Sequence, residues 1–166
     1  MDFSQLLNQI VPDRVKENEP MSRHTNFRIG GPAKWFVEVR SLEELKAVVA
    51  LANRHRVSIF VMGGGSNTLV SDQGFDGVVV KIAMRQIQID GIRVRAEAGV
   101  LSAALARATA KAGLGGLAWA ISLPGTIGGA VRGNAGCFGG ETKDHLVEVE
   151  ILRNGEVLTI SKNELA

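Results

Sequence analysis

Two glycine-dense segments carry the residue types in this sequence that could bind a phosphate-bearing ligand. The first, VMGGGSNTLV at residues 61–70, places three glycines, a serine and an asparagine directly after a predicted strand. Residues that adopt positive φ can direct successive backbone N–H groups into one concavity, which stabilises phosphate oxygens without a side-chain cation. The segment therefore suits a diphosphate. A tight glycine turn with no ligand explains the same residues equally well.

The second segment, ISLPGTIGGAVRGNAGCFGGE at residues 121–141, combines a Pro-Gly turn, a GxxGG run and one basic residue, Arg132. Glycines at this density allow a backbone to lie flat against a planar ring system. The alternative is a mobile glycine loop. Apolar residues such as Leu123, Ile127 and Val131 predict packing instead, which favours the ligand hypothesis.

Other familiar sites find no support in the residues. The sequence lacks both GxxxxGK[ST] and a GxGxxG that opens a helix, so neither a P-loop nor a Rossmann site is indicated. Ser66 stands outside a GxSxG frame. The three histidines have no metal-ligand spacing, and the lone Cys137 can form neither an internal disulfide nor a cysteine metal cluster. We therefore expect no metal and no nucleophilic catalysis.

The elements that must position these segments can be predicted from periodicity. Residues 1–33 begin with a weak amphipathic run and continue as a polar, extended arm in which no core is expected. KWFVEV at 34–39 predicts a strand, and Ser41 with Glu44 predicts a capping box for a helix that ends near Arg56. SIFVM at 58–62 predicts a short buried strand that leads into the first glycine segment.

The second half of the sequence alternates strand and turn signals. VVVKI, QIQI and IRVRAEA predict three strands, with Asp90-Gly91 as the hairpin signal between the last two. A helix over 101–112 should stop at Gly113, and Asn154-Gly155 predicts a type I′ hairpin. Ser161 and Glu164 predict the capped start of another helix, in which the chain ends. The class is α+β with mixed or antiparallel pairing.

Composition limits the function classes further. The 166 residues, 45% of them hydrophobic, suffice for one domain, or one domain of two lobes. Lys+Arg at 19 and Asp+Glu at 17 are interspersed and give a net charge of +2, which argues against a nucleic-acid or acidic membrane surface. Because no leader or spanning stretch is visible, we expect a cytoplasmic protein without membrane partners.

Several motifs become specific when taken together and in order. HTNFRIGGPA at 24–33, VMGGGSNTLV, AEAG at 96–99 and LPGTIGGAVRGNAG at 123–136 with a following GGE closely resemble the UDP-N-acetylenolpyruvoylglucosamine reductases, also named UDP-N-acetylmuramate dehydrogenases. The resemblance runs from about Ser22 and covers the first half of a typical family member. It implies an FAD-binding fold of the vanillyl-alcohol-oxidase (PCMH) type with two small α+β lobes. The implied division is an N-terminal arm at 1–20 and an FAD-binding domain at 21–166, without the C-terminal substrate domain.

The resemblance also assigns cofactor contacts. Residues that match the segment around the FAD diphosphate are Gly63, Gly64, Gly65, Ser66 and Asn67. Gly99 matches a position beside the cofactor. Residues that match the segment along the flavin and ribityl chain are Pro124, Gly125, Thr126, Gly128, Gly129, Arg132, Asn134 and Gly136. Arg132 is the one charged residue expected to contact the ligand.

The implied reaction is a step of peptidoglycan precursor synthesis. NADPH reduces FAD, and the flavin passes hydride to UDP-N-acetylglucosamine enolpyruvate to give UDP-N-acetylmuramate. The family's catalytic arginine, serine and glutamate fall beyond this sequence, so no catalytic residue is assigned, and UDP-sugar binding is expected only with the C-terminal half. Cys137-Phe138 also stands where many relatives have Ala-Tyr, which removes a hydroxyl expected near the flavin.

Three hypotheses share these residues. The chain is a truncated or split reductase that binds FAD without turnover, a flavin-carrying subunit that pairs with a separate chain, or a remnant that binds nothing. The first is preferred because the match to the N-terminal motifs is strong.

Overall fold

The computed structural model describes residues 1–165, and the chain divides into two compact units, Met1–Arg85 and Gln86–Ala166. The elements of the first unit are α1 (Phe3–Ile10), β1 (Val15–Pro20), β2 (Pro32–Val39), α2 (Leu42–Arg54), β3 (Ile59–Met62) and β4 (Phe75–Ile82), with a 3-10 turn at Met21–Arg23. None of the helices in residues 1–165 has the length and apolar character needed to cross a membrane.

The first unit is built on a mixed four-stranded sheet in the order β1-β2-β4-β3. β1 pairs antiparallel with β2, whereas β4 lies parallel to both β2 and β3. The two central strands are rich in valine and are mostly buried, as expected for strands covered on both faces. Phe36 of β2 and Val79 of β4 are paired in register and lie in one hydrophobic cluster with Met21 and Met62.

The N-terminal residues contribute to this core, so the expectation of no core in residues 1–33 is wrong. Leu7, Val11 and Met21 are fully buried, and a capping box between Asp2 and Gln5 opens α1. α1 has only eight residues, too few for a stable helix on its own, and tertiary packing supplies its stability. Whether residue 20 separates an arm from the FAD-binding domain stays a prediction.

Two further expectations for the first unit need correction. β3 is an edge strand and leaves Phe60 and Val61 36% and 54% exposed, although a buried strand was expected. The capping box of α2 is half formed. The Ser41 hydroxyl accepts the Glu44 N–H, while the Glu44 carboxylate accepts from the backbone of Arg40 instead of Ser41. α2 ends at Arg54, close to the predicted position.

The second unit consists of short hairpins and helices. Its elements are β5 (Ile87–Asp90), β6 (Arg93–Ala96), α3 (Ser102–Lys111), α4 (Ile127–Arg132), β7 (Gly136–Cys137), β8 (Gly140–Glu141), α5 (Thr142–His145), β9 (Glu148–Arg153) and β10 (Glu156–Ser161), with 3-10 turns at Ala118–Ser122 and Lys162–Glu164. The strands pair as three antiparallel hairpins. With the mixed sheet of the first unit, they confirm the α+β class.

Turn chemistry explains most of these hairpins. Asn154 and Gly155 both have positive φ, 52° and 85°, which confirms the type I′ turn between β9 and β10. The β5–β6 loop is displaced by one residue from the prediction. Asp90 pairs with Arg93, so the loop is Gly91-Ile92, with Gly91 at φ 56°. The Ser161–Glu164 capping box is present, but it opens a 3-10 turn and not an α-helix within the described residues.

Each unit contains one tryptophan. Trp35 lies on β2 of the first unit, with its ring 4.6 Å from that of Phe3 and 4.9 Å from Lys34 Nζ. Trp119 of the second unit is half-buried against Gly140, where an added Cβ would lie 2.9 Å from the indole Nε1. Both therefore pack against their own unit, in agreement with a structural role.

Candidate functional site

The first glycine segment follows β3 and turns sharply once. Gly65 is buried and has φ 68°, whereas the other residues of 63–67 have no positive φ. A run of consecutive left-handed residues was one way to build a phosphate-binding concavity, and the structure uses a single such residue. A Cβ at Gly65 would overlap the carbonyl oxygen of His24, so this position requires glycine for both conformation and space.

The loop His24–Gly31 lies along the segment that follows Gly65. Asn26 N donates to the Gly65 carbonyl at 3.0 Å, and Gly31 N donates to the Ser71 carbonyl at 2.8 Å. The motifs HTNFRIGGPA and VMGGGSNTLV, about forty residues apart, thus form one surface of the first unit. Sequence patterns placed the first of these motifs in an arm, so its contact with Gly65 was missed.

His24 is held in place by a buried carboxylate. Its Nε2 lies 2.9 Å from Glu19 Oε1, and its ring stacks on Phe36 with 4.1 Å between ring centroids. Glu19 is only 7% exposed and also meets Lys16 Nζ at 3.3 Å. Burial raises the pKa of Glu19, but the hydrogen bonds from His24 and Lys16 outweigh it and hold this pKa below its ordinary value. The backbone that contacts Gly65 is therefore firmly anchored.

In the second unit, the segment around Gly99 joins the second glycine segment. Gly128 N donates to the Ala98 carbonyl at 2.9 Å and Ile127 N donates to the Val100 carbonyl at 2.8 Å. Ser102 N donates to the Gly125 carbonyl at 3.1 Å. The structure thus brings together four of the predicted site residues, which are Gly99, Gly125, Thr126 and Gly128.

The adjacent glycines Gly128 and Gly129 have different surroundings. Gly128 lies close to another segment, whereas Gly129 faces open space. A Cβ at Gly128 would lie 2.8 Å from Ala98 Cβ and 3.1 Å from the Ala98 carbonyl oxygen. Gly129 is exposed, and a Cβ there would find its nearest neighbour, Thr126 Oγ1, 3.7 Å away. Packing therefore requires glycine at 128 and leaves 129 free to face a ligand.

Two polar side chains beside α4 have no partner within residues 1–165. The hydroxyl of Thr126, which is 5% exposed, makes no hydrogen bond there and does not cap α4. The Arg132 side chain is exposed at the last residue of α4, and no ion pair or hydrogen bond engages it among the same residues. A buried hydroxyl without a partner, next to a glycine-lined backbone, fits a ligand that carries polar groups.

Asn134 and Gly136, by contrast, serve the β7–β8 hairpin. Asn134 has φ 41°, its Nδ2 donates to Glu141 Oε2 at 3.0 Å, and its Oδ1 accepts from Lys143 N at 3.0 Å. Lys143 Nζ lies 2.6 Å from the same Glu141 oxygen. The hydrogen bonds from Lys143 and Asn134 lower the pKa of Glu141. A Cβ at Gly136 would lie 2.8 Å from the Gly140 carbonyl oxygen, so this glycine allows close strand pairing.

The tip of this hairpin exposes an aromatic ring. Phe138 is 86% exposed with φ 50°, and Gly139 follows with φ 82°. Bulky residues rarely adopt positive φ. The Cys137-Phe138 pair therefore stands at a turn, with Cys137 half-buried on β7. No cluster of three or more His, Cys, Asp or Glu side chains that could hold a metal ion occurs in the described part of the chain.

A comparison with known protein families covers most of the chain. A family model described as FAD binding domain matches residues 33–161, a range that includes both glycine segments. The chain belongs to this FAD-binding domain family. The match supports FAD as the ligand of this domain, and the contacts of individual residues stay a prediction.

Individual relatives agree with this assignment and with the resemblance seen in the motifs. The UDP-N-acetylenolpyruvoylglucosamine reductase of Rubrobacter xylanophilus is 44% identical over 161 residues, which cover 96% of this chain and 54% of the relative. The crystal structure of the Thermus caldophilus reductase is 33% identical with a TM-score of 0.76, over 91% of this chain and 53% of the other. The resemblance is thus confirmed, and the chain spans about half the length of the curated relatives it matches.

Solved structures with lower sequence identity share the fold of this chain, and this similarity concerns the fold alone. The grass pollen allergen Phl p 4, a protein with glucose dehydrogenase activity, is 19% identical with a TM-score of 0.72, over 96% of this chain and 38% of the other. With the FAD-binding match, this likeness confirms the expected FAD-binding α+β fold of the vanillyl-alcohol-oxidase type.

Proposed function

We propose that this chain is the FAD-binding portion of a flavin-dependent reductase that converts UDP-N-acetylglucosamine enolpyruvate to UDP-N-acetylmuramate in peptidoglycan precursor synthesis. NADPH is the proposed hydride donor. The observation that carries the proposal is the FAD binding domain match over residues 33–161, together with the 44% identity to a reductase of that name. A cytoplasmic location suits a protein that acts on a soluble UDP-sugar.

In the first unit, residues 63–67 are the proposed contacts of the FAD diphosphate. Gly63, Gly64, Gly65, Ser66 and Asn67 follow a strand and turn at Gly65, where the backbone is held by Asn26 and His24. Backbone N–H groups in such a turn bind anionic oxygens without losing side-chain entropy. Rigid attachment of Gly65 keeps these donors in position before the ligand arrives.

In the second unit, the proposed contacts follow the flavin and ribityl chain. They are Gly99, Pro124, Gly125, Thr126, Gly128, Gly129, Arg132, Asn134 and Gly136. The open face at Gly129, the unpartnered hydroxyl of Thr126 and the unengaged guanidinium of Arg132 support the assignment. Because the Asn134 side chain is engaged with Glu141 and Lys143, a contact from this residue would come from its backbone.

FAD, when bound, supplies the hydride-transfer chemistry, and the chain's own residues bind and orient it. We further propose that the chain alone binds FAD without reducing the UDP-sugar, since the resemblance places the catalytic arginine, serine and glutamate outside this sequence. Binding of the UDP-sugar then requires the C-terminal half. The alternative is a stand-alone or split flavin-binding module with no turnover of its own.

A visible absorption spectrum tests the cofactor assignment. Purified protein is measured before and after incubation with excess FAD and desalting, and a retained flavin band of perturbed shape is expected. A colourless protein after this treatment would contradict FAD binding. An assay with NADPH and the enolpyruvyl substrate should then show no turnover by the chain alone. Turnover restored by a separately supplied C-terminal half would favour a split reductase, whereas no restoration would favour a stand-alone module.

A further inference from the structure

We propose that Arg28 is an additional ligand-binding residue, whose guanidinium contacts the diphosphate of the dinucleotide cofactor. This role rests on the proposed binding of the diphosphate by residues 63–67 and adds a cation to a segment that has none of its own. Arg28 belongs to HTNFRIGGPA, a motif to which the cofactor contacts described above assign no residue.

The attachment of the loop places Arg28 beside the first glycine segment. At one end Asn26 N donates to the Gly65 carbonyl at 3.0 Å. At the other end a Cβ at Gly30 would lie 2.8 Å from Val70 Cβ, and Gly31 N donates to the Ser71 carbonyl at 2.8 Å. Residues 27–29 therefore lie between two points of attachment that flank residues 66–69. The Arg28 Cα is at most about 7 Å from that of Asn26, a distance within the reach of an extended arginine side chain.

The backbone of Arg28 is held in an uncommon conformation. Its φ is 56°, in the left-handed region that non-glycine residues seldom occupy. Arg28 N donates to the Thr25 carbonyl at 3.1 Å, and the buried Thr25 hydroxyl donates to the Ile29 carbonyl at 3.1 Å. Conformations of this kind persist where the surrounding structure enforces them, and they cluster at ligand-binding positions.

The charge of Arg28 is also available. Its exposed side chain makes no ion pair or hydrogen bond in the described part of the chain. Lys16 and Arg23 of the same unit, by contrast, lie 3.3 Å and 3.8 Å from the Glu19 carboxylate. A guanidinium presents paired donors that match two phosphate oxygens, and such charge-assisted hydrogen bonds are stronger than neutral ones. A diphosphate is therefore the anion that suits this position.

The test compares FAD affinity among three variants and the parent by titration calorimetry on flavin-free protein. Arg28→Gln should raise the Kd for FAD about tenfold in about 50 mM NaCl, because a charged hydrogen-bond partner is lost. Arg28→Lys should recover much of that loss. The matched control is Arg56→Gln, since Arg56 lies in the same unit, is exposed and also has positive φ, 55°. It should change the Kd by less than about twofold.

Salt separates a charge effect from a change of loop structure. In about 0.5 M NaCl the difference between Arg28→Gln and the parent should shrink several-fold, since screening weakens exposed charge pairs. If the parent bound FAD and Arg28→Gln and Arg56→Gln had equal Kd values for FAD, the role of Arg28 would be contradicted. The proposed function would be unaffected. A loss of FAD affinity in Arg28→Gln that is equal at both salt concentrations would also contradict the role of Arg28. If the parent chain itself bound no FAD, both this role and the proposed function would fall.

Discussion

An ion pair between Arg14 and Glu44 connects the N-terminal segment to the first turn of α2. Arg14 donates to both oxygens of the Glu44 carboxylate, at 2.8 Å and 2.6 Å, and Arg40 N donates at 2.7 Å. The Arg14 and Glu44 side chains are only 18% and 22% exposed. The hydrogen bond from Arg14 is the largest influence on Glu44 and, against the effect of burial, it lowers the pKa of this carboxyl.

Glu44→Gln should lower the free energy of unfolding by about 1.5–2 kcal/mol at pH 7, because charged hydrogen bonds are lost. A carboxyl whose pKa is lower in the folded state stabilises the protein above its unfolded pKa of about 4.3, and this contribution disappears as pH falls through the folded value. The difference between variant and parent should therefore be smaller at pH 3 than at pH 7. Urea unfolding at both pH values measures it. An equal loss at both would contradict the ion pair.

Gly65→Ala should destabilise the first unit far more than a left-handed conformation alone explains. Forcing alanine to positive φ costs about 1–2 kcal/mol, and overlap with the His24 carbonyl adds about 1–3 kcal/mol. The matched control is Gly113→Ala, at φ 75° with nothing within 4 Å of the added Cβ. Urea unfolding of both variants separates the two contributions. Equal losses would show that His24 does not constrain this turn.

Among the helices, α4 offers adjacent glycines with opposite surroundings. Gly128→Ala should lower the free energy of unfolding by about 1–2 kcal/mol, because the new methyl group meets Ala98. Gly129→Ala should raise it by about 0.5–1 kcal/mol, since alanine is the better helix former and has space here. Thermal and urea unfolding measure both. Destabilisation by Gly129→Ala would contradict the open face at this position.

Gly129→Ala also tests the proposed flavin contact through a second measurement. If the open face at Gly129 borders the cofactor, the added methyl group should weaken FAD binding even as it stabilises the protein. Titration calorimetry with FAD detects this opposite change. Unaltered affinity would remove Gly129 from the proposed contacts and leave the other residues untouched.

Local sequence signals predicted the elements whose stability is local. β2, α2, α3 with Gly113 as its stop, and the Asn154-Gly155 hairpin follow from period, caps and turn residues. α1 was missed because its packing is tertiary, and β3 was expected to be buried because apolar residues do not reveal an edge position. The β5–β6 turn lies one residue later than predicted, because Gly91 can be the first residue of a turn as well as the second.

The candidate site was predictable only where it depends on glycine. Gly65 and Gly128 stand where the backbone turns or approaches another segment closely, and their density in the sequence signals this. The contact between Asn26 and Gly65 joins residues 39 positions apart and leaves no periodic trace. Arg28 was overlooked for the same reason, since its neighbours are set by the attachment of a loop.

For the chain as a unit, bound FAD should raise the midpoint of thermal unfolding. A ligand at one hundred times its Kd stabilises the native state by about 2.7 kcal/mol, which corresponds to about 5–10 °C for a protein of this size. Scanning calorimetry with and without FAD measures the shift. Riboflavin, which lacks the diphosphate, is the control and should produce a smaller one. Equal shifts with both compounds would contradict binding through the diphosphate.

The two tryptophans give the chain a built-in optical probe for each unit. The sequence has no tyrosine, so emission excited near 295 nm or below comes almost wholly from Trp35 and Trp119. Trp35 lies beside Phe3 in the first unit, and Trp119 lies against Gly140 in the second. Trp35→Phe and Trp119→Phe therefore leave one emitter each. The fluorescence of each variant during unfolding would report how one unit loses its structure. Quenching of the same fluorescence by added flavin would report binding of the flavin near that unit's tryptophan.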